Sequence, residues 1–116
     1  MNYLKSYNES RIKYYHAGDI VISIGKLYMI LDAYTPKATG VSIGILSYTG
    51  IKWDILDSEH TLSYMRIRHL SVSEEELFFK YLTNNIIEEI KEKTDIDLYQ
   101  LYKNKIISSK SKSFNL

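Results

Sequence analysis

Hydrophobic and polar residues alternate between Asp19 and Arg68 with a repeat of two, which is typical of β-strands. Turn-forming residues interrupt this alternation; they include Gly25-Lys26, which suits a type II′ hairpin turn, and Thr49-Gly50. The pattern therefore predicts an antiparallel meander of five short strands, at residues 19–24, 26–34, 39–48, 51–56 and 61–68.

A helical repeat replaces the alternation after residue 70. Ser71 and Glu74 have the spacing of a capping box, in which each side chain satisfies a backbone donor of the other residue, and Ser73 and Glu76 offer the same spacing. Apolar side chains then recur every three or four positions, which predicts one long amphipathic helix from about Val72 to Lys93. Its apolar stripe consists of Leu77, Phe78, Tyr81, Leu82, Ile86 and Ile90.

The end of the chain contains a second, shorter apolar stripe. Thr94 to Asp97 indicates a break and a new helix start, and the stripe predicts a short helix that ends near residue 107. The last residues are small, polar and basic, which predicts a disordered tail. We expect one domain over 1–108, made of an N-terminal arm or short helix at 1–17, the strands at 19–68 and the helices at 72–107, followed by the tail at 109–116.

The strands contain more Ile, Leu and Val than a flat sheet with two wet faces could bury. Curling the sheet into a small barrel would remove its edges and close its core. Gly40 and Gly44 in the third predicted strand suit a sharp bend or a close approach. We therefore predict an α+β fold: a small five-stranded antiparallel β-barrel, followed by one long and one short C-terminal helix.

Two segments resemble known groups of proteins. A meander that opens with Gly18-Asp19-Ile20-Val21 resembles the small barrels of the Src-homology-3 kind. The segment RIRHLSVSEEELFFKYL, residues 66–82, is similar to a recurring segment in small uncharacterised proteins of Bacteroidetes phages and mobile elements. There the helix starts with Ala-Thr-x-Glu-Glu, whereas Ser71-Val72-Ser73 replaces Ala-Thr-x here. This resemblance implies a phage or mobile-element origin and supplies no catalytic residues.

Composition narrows the class of function. The 116 residues contain 15 Lys and Arg against 14 Asp and Glu, for a net charge of +1, which disfavours a globally basic nucleic-acid binder. Cysteine is absent, which excludes disulfides and thiolate chemistry. No apolar run approaches the roughly 18 residues of a membrane span, and the N-terminus lacks a signal-like apolar region. We expect a cytoplasmic protein that does not bind a membrane.

The most enzyme-like group is acidic. Asp54, Asp57, Glu59 and His60 could in principle perform acid–base chemistry or hold a hard metal ion. Alternation directs Asp54 outward and the others lie in a connection, so a solvated turn is the favoured interpretation. The histidines lack zinc-site spacing, and no glycine-rich phosphate loop occurs. We predict no cofactor and no enzymatic activity.

Tyrosine is the unusual residue of this chain, with 11 copies. Tyr28, Asp32 and Tyr34 alternate with the apolar stripe of the second strand and therefore share its opposite face. Tyrosine is enriched at protein interfaces. The leading prediction is a non-enzymatic module that binds a protein partner through this tyrosine-rich face, as an adaptor, regulator or inhibitor of a host system.

Nucleic-acid binding is the alternative. Small barrels can bind single strands by stacking bases on aromatic side chains beside a basic groove. The residues that would serve are Arg11, Lys13, Tyr14, Tyr15, Arg66 and Arg68. The sequence leaves open whether its N-terminal and strand clusters meet in space, and it does not indicate an oligomeric state.

Overall fold

The strands precede the helices, and the predicted α+β class is confirmed. A computed structural model describes residues 15–33, 38–56 and 59–114, with side chains up to Ser109. Within these ranges the strands are β1 Ile20–Ser23, β2 Lys26–Ala33, β3 Ala38–Ser47, β4 Gly50–Trp53, β5 His60–Thr61 and β6 Arg68–His69. The helices are α1 Val72–Tyr81, α2 Asn84–Thr94 and α3 Leu98–Phe114. No helix of the described ranges is long and apolar enough to cross a membrane.

All strand pairs of the sheet are antiparallel, in the order β4-β3-β2-β1-β6. The outer edge of β3 is shared, because β4 pairs with its C-terminal part and β5 pairs with Thr39 and Gly40. Gly40 is confirmed as a point of close approach: a Cβ there would collide with the carbonyl oxygen of Met29 on β2. A larger residue at this position would force β2 and β3 to shift relative to each other.

Alternation along the strands gives the sheet two apolar faces, and both are covered. One face packs on the three helices and forms the main core, which includes Leu27, Phe78 and Leu82. The other face packs on a smaller cluster centred on Tyr28 and Leu62. The residues of this smaller cluster are Val21, Tyr28, Ile30 and Leu62, with Tyr15, Ala33, Ala38, Met65 and Ile67 packed around them.

The predicted closed barrel is wrong, because the sheet is open. Within the described strands, no pairing joins β6 to β4 or to β5. We predicted closure on the premise that the second face would otherwise be wet. The chain after β5 removes that premise, since Leu62, Met65 and Ile67 cover this face without further strand pairing. Apolar burial, which drives folding, is thus achieved by a loop.

The predicted single long helix is also wrong, because it is two helices. Leu82 adopts an extended conformation that ends α1, and the side chain of Thr83 accepts a hydrogen bond from the Ile86 N–H and begins α2. Thr and Asn have low helix propensity. Outside the first helix, the Thr83 side chain can act as the N-cap of α2. The break directs the Leu82 side chain toward the main core, where it is 1% exposed.

The last helix is longer than its apolar stripe predicts. Asp95 in a left-handed conformation ends α2, and the Asp97 side chain accepts the Gln100 N–H at 3.1 Å at the start of α3, so the predicted break is confirmed. The helical backbone continues to Phe114 through a kink at Tyr102, whereas we expected a short helix and a disordered tail from residue 109. Of the N-terminal arm or short helix predicted at residues 1–17, residues 1–14 lie outside the described residues.

Candidate functional site

The turn between β1 and β2 carries an unusual residue. Ser23 pairs with Lys26, so the turn residues are Ile24 and Gly25, one position earlier than predicted. Both have positive φ, at 52° and 74°, which is a type I′ geometry. A β-branched residue at positive φ is an outlier that costs roughly 1–2 kcal/mol. Ile24 is also 97% exposed, so burial of its side chain does not compensate for this strain.

A second hairpin turn, between β3 and β4, carries another exposed apolar group. Ser47 pairs with Gly50, and the Ser47 hydroxyl donates a hydrogen bond to the Gly50 carbonyl oxygen at 3.0 Å. Tyr48 lies at the tip of this turn with a fully exposed side chain. The Leu46 N–H donates to the Gly25 carbonyl oxygen at 2.8 Å, which holds this hairpin beside the first one.

The two turns form one side of a groove of about 1020 Å³ that is open rather than enclosed. Strand β1, the chain before β6 and the start of α1 complete it. Its apolar lining includes Ile22 of β1, Leu46 of β3 and Leu77 of α1. The full lining is Ile22, Ser23, Ile24, Gly25, Leu46, Ser47, Tyr48, Arg66, Ile67, Arg68, Ser73, Glu74 and Leu77.

One wall of the groove is a fixed ion pair. The two guanidinium nitrogens of Arg68 donate to the two carboxylate oxygens of Glu74 at 2.7 and 2.9 Å. The same carboxylate accepts the Ser71 N–H at 2.8 Å and so completes the predicted capping box. Hydrogen bonds from Arg68 lower the pKa of Glu74 to about 2, against the opposing effect of burial. The pair is therefore ionised and geometrically fixed at neutral pH.

Arg66 supplies the other cation of this groove. Its side chain is exposed at the wall, two positions before Arg68. Within the part of the chain that the structure describes, Arg66 makes no ion pair or hydrogen bond, in contrast to Arg68. The described lining of the groove thus contains two guanidinium groups and one carboxylate, and among these residues the charge of Arg66 is not compensated.

The predicted tyrosine-rich face is covered at Tyr28. Tyr28 is 6% exposed, because it packs in the smaller cluster. Its ring meets the His60 ring edge-on, with the ring centroids 5.9 Å apart. The alternation that placed Tyr28 opposite Leu27 is correct, but that face is covered. Asp32 is exposed on β2, and Tyr34 lies outside the described residues. Tyr28 is therefore a core residue, and its prediction as a partner-binding residue is wrong.

The alternative nucleic-acid set is only partly described. Arg11, Lys13 and Tyr14 lie outside the described residues. Tyr15 does reach the last strand. Its ring stacks on the His69 ring, with the ring centroids 4.8 Å apart. Its hydroxyl donates a hydrogen bond to the Ile67 carbonyl oxygen at 3.2 Å. Tyr15, the described member of the N-terminal part of this set, therefore contacts the strand cluster.

Two of the predicted nucleic-acid contacts, Tyr15 and Arg68, are nevertheless partly engaged within the protein. One face of the Tyr15 ring is occupied by His69, and the Arg68 guanidinium is occupied by Glu74. A base stacks best on an open aromatic face, and a phosphate needs an available cation. Of the two described arginines of this set, Arg66 is the one that makes no ion pair with a described residue.

The acidic group is not assembled into a site. Asp54 and Glu59 are exposed, Asp57 lies outside the described residues, and His60 turns toward Tyr28. No group of three His, Asp or Glu side chains within the described ranges is close enough to hold a metal ion.

A smaller cleft of about 200 Å³ lies between β1, β6, α1 and α3 and contains several titratable groups. These groups bind one another or the backbone. Lys105 pairs with Glu75 at 2.6 Å, and Asp19 accepts the backbone N–H of His16. The Tyr102 hydroxyl donates to the Gly18 carbonyl oxygen at 3.0 Å, and burial raises the pKa of Tyr102 to about 12. These contacts serve the packing of α3 on the sheet.

Sequence reasoning missed the two residues that stand out most, Ile24 and Tyr48. Ile24 continues the alternation of Ile20 and Ile22, so the pattern places it in a strand. Its turn position follows only from the strand register. Tyr48 could have been found, because it directly precedes the predicted Thr49-Gly50 turn, and hairpin tips are exposed.

No family model matches the chain, and neither a curated protein nor a solved structure is significantly similar to it. The resemblance to phage and mobile-element proteins therefore stays a prediction from residues 66–82.

Proposed function

We propose that this protein is a non-enzymatic binding module and that the groove between its two hairpin turns binds an apolar segment of another protein. The observation that carries this proposal is Ile24, a β-branched residue at positive φ with a fully solvated side chain. Strained residues that are not compensated by packing cluster at functional sites. Tyr48 on the adjacent turn extends the apolar surface.

The shape and lining of the groove favour a protein segment over a small molecule. Small-molecule sites bury about 70–90% of their ligand's surface. This groove is open, and its most exposed apolar groups, Ile24 and Tyr48, project at its rim. Exposed aromatic and aliphatic groups around a trough are typical of protein interfaces.

The same geometry gives less support to nucleic acid. Of the two groove arginines, Arg68 is held by Glu74, and the groove surface is mainly apolar. A single available arginine provides little of the phosphate attraction that dominates nucleic-acid affinity. The roles of adaptor, regulator or inhibitor, and the likeness to Src-homology-3 barrels, remain predictions that this binding module would accommodate.

The test is affinity capture from the native cells with the unchanged protein and with Tyr48→Ala, each with and without nuclease. We expect a captured protein that resists nuclease and is lost with Tyr48→Ala, since an aromatic side chain that a partner buries contributes about 2 kcal/mol or more to binding. The recombinant captured protein should then bind the unchanged chain at least tenfold more tightly than the variant in titration calorimetry.

Tyr64→Ala is the matched control, because Tyr64 is similarly exposed and lies outside the groove lining. Equal loss in both variants would show a general effect of removing surface tyrosines and would refute the groove. Capture that is unaffected by Tyr48→Ala would also refute it. Capture that disappears with nuclease would favour the nucleic-acid alternative.

A further inference from the structure

The described residues that line the groove have a net positive charge, and its source among them is the Arg66 side chain. Arg68 and Glu74 neutralise each other through two short hydrogen bonds. Glu74 is also held by the Ser71 N–H, so its carboxylate accepts three hydrogen bonds within the wall of the groove. Arg66 is exposed on the same wall and is engaged by no described residue. A ligand therefore meets one available guanidinium beside an apolar surface.

We propose that the segment bound in this groove is apolar and carries an acidic side chain, Asp or Glu, whose carboxylate binds Arg66. This inference rests on the proposed function and specifies the chemistry of the partner. A guanidinium matches a carboxylate bidentately, as the neighbouring Arg68 and Glu74 show in this wall. A basic segment would instead be repelled by the uncompensated charge.

The apolar part of the segment has its own place. Ile22, Leu46 and Leu77 line the groove between the hairpin turns and α1, and Tyr48 and Ile24 stand at the rim. An apolar side chain there would remove both rim residues from water. Arg66 lies on the same lining, so the acidic side chain belongs within the same short segment. Capture of a chain-terminal carboxylate uses nests of backbone N–H groups, whereas the available donor here is a side chain.

The test uses a random peptide library displayed on phage with no free carboxyl terminus, selected on the full protein and counter-selected on Tyr48→Ala. We expect enriched peptides that combine aromatic or aliphatic residues with Asp or Glu. The best peptide is then synthesised with its acidic residue and with the corresponding amide, and both are titrated by fluorescence anisotropy. The amide should bind about fivefold more weakly to the unchanged protein.

The matching protein variants isolate Arg66. With Arg66→Gln the acid and amide peptides should bind equally, and Arg66→Glu should reverse the preference toward basic peptides. Lys103→Glu makes the same charge change on an exposed helix position outside the groove and should leave the preference intact.

Two outcomes overturn this inference and differ in what they say of the proposed function. Enriched peptides that depend on Tyr48 but are neutral or basic would refute the acidic ligand and leave the groove as the binding site. If no peptide depends on Tyr48, the inference fails as well. In that case capture of the native partner by the same variants decides separately whether the groove binds protein.

Discussion

Strand β1 lies between two tight turns that differ in how well their residues suit the backbone conformation and in whether they are buried. The turn before β1 has Gly18 at a φ of 92°, a conformation that glycine adopts without strain. Gly18 is buried, its N–H donates to the Ile30 carbonyl oxygen at 2.7 Å, and Leu101 of α3 packs against it. The turn after β1 has Ile24 at positive φ, and its side chain is in water.

The difference shows which end of the sheet is built for stability. At the Gly18 end, the residue suits the backbone and a helix covers the turn. At the Ile24 end, the residue opposes the backbone and no described element covers it. An asparagine or glycine would relieve the strain, so stability alone does not explain isoleucine. The contrast is informative because both turns belong to the same short strand.

The largest expected effect separates the covered core from the groove. Leu82→Ala should lower the free energy of unfolding by about 3 kcal/mol, because Leu82 is 1% exposed and its truncation leaves a cavity. Tyr48→Ala should change it by less than about 0.5 kcal/mol, because the side chain is fully solvated. Chemical denaturation of both variants measures the difference. Comparable losses would contradict the division into a stabilising core and an open groove.

Substitutions at Gly18 and at Ile24 should change the free energy of unfolding in opposite directions. Gly18→Ala should cost about 2 kcal/mol, because alanine is strained at this φ and its Cβ would lie 2.5 Å from a Leu101 methyl carbon. Ile24→Gly should stabilise the protein by about 1 kcal/mol, because it removes the strain of a β-branched residue. Thermal and chemical denaturation give both signs. Destabilisation by Ile24→Gly would mean that the isoleucine is there for stability.

Local patterns in the sequence were sufficient for several elements of the fold. Period-two alternation correctly separates Leu27 from Tyr28, and the capping box correctly begins α1 at Ser71. The predicted close approach at Gly40 is also present. The alternation and the capping box depend on residues only a few positions apart, so a single sequence contains the necessary information.

The wrong predictions concern contacts between distant parts of the chain. Tyr28 was expected outside because nothing local shows that the chain around Leu62 folds over its face. Because the chain around Leu62 covers this face, the sheet can bury it without closing into a barrel. Leu82 belongs to an unbroken helical stripe, and its exit from the helix depends on the core that it enters. The groove depends on the register that places Ile24 in a turn, beside Tyr48 and Arg66.

Alkaline titration should loosen the covered end of β1 selectively. The Tyr102 hydroxyl donates to the Gly18 carbonyl oxygen, and only the neutral phenol can donate. Burial, with further contributions from Asp19 and Glu75, raises the pKa of Tyr102 from its ordinary value of 10.0 to about 12. The unfolded chain therefore ionises first as the pH rises. The stability from this group is complete below pH 10.0 and is lost between that pH and about 12.

Tyr102→Phe should remove this component. At neutral pH the variant should be about 0.5–1 kcal/mol less stable, which is the net contribution of one hydrogen bond. Above pH 10.0 its stability should fall less steeply than that of the unchanged protein, so the two curves converge.

Tyr99→Phe is the matched control, since Tyr99 lies on the same helix, is largely exposed and makes no hydrogen bond through its side chain to a described residue. Because lysines and other tyrosines titrate in all three proteins, only the difference between their curves reports on Tyr102. Parallel curves for the unchanged protein and Tyr102→Phe would show that α3 is held to the Gly18 turn by packing alone. Convergence would place the pH sensitivity of β1 at its covered end, away from the groove.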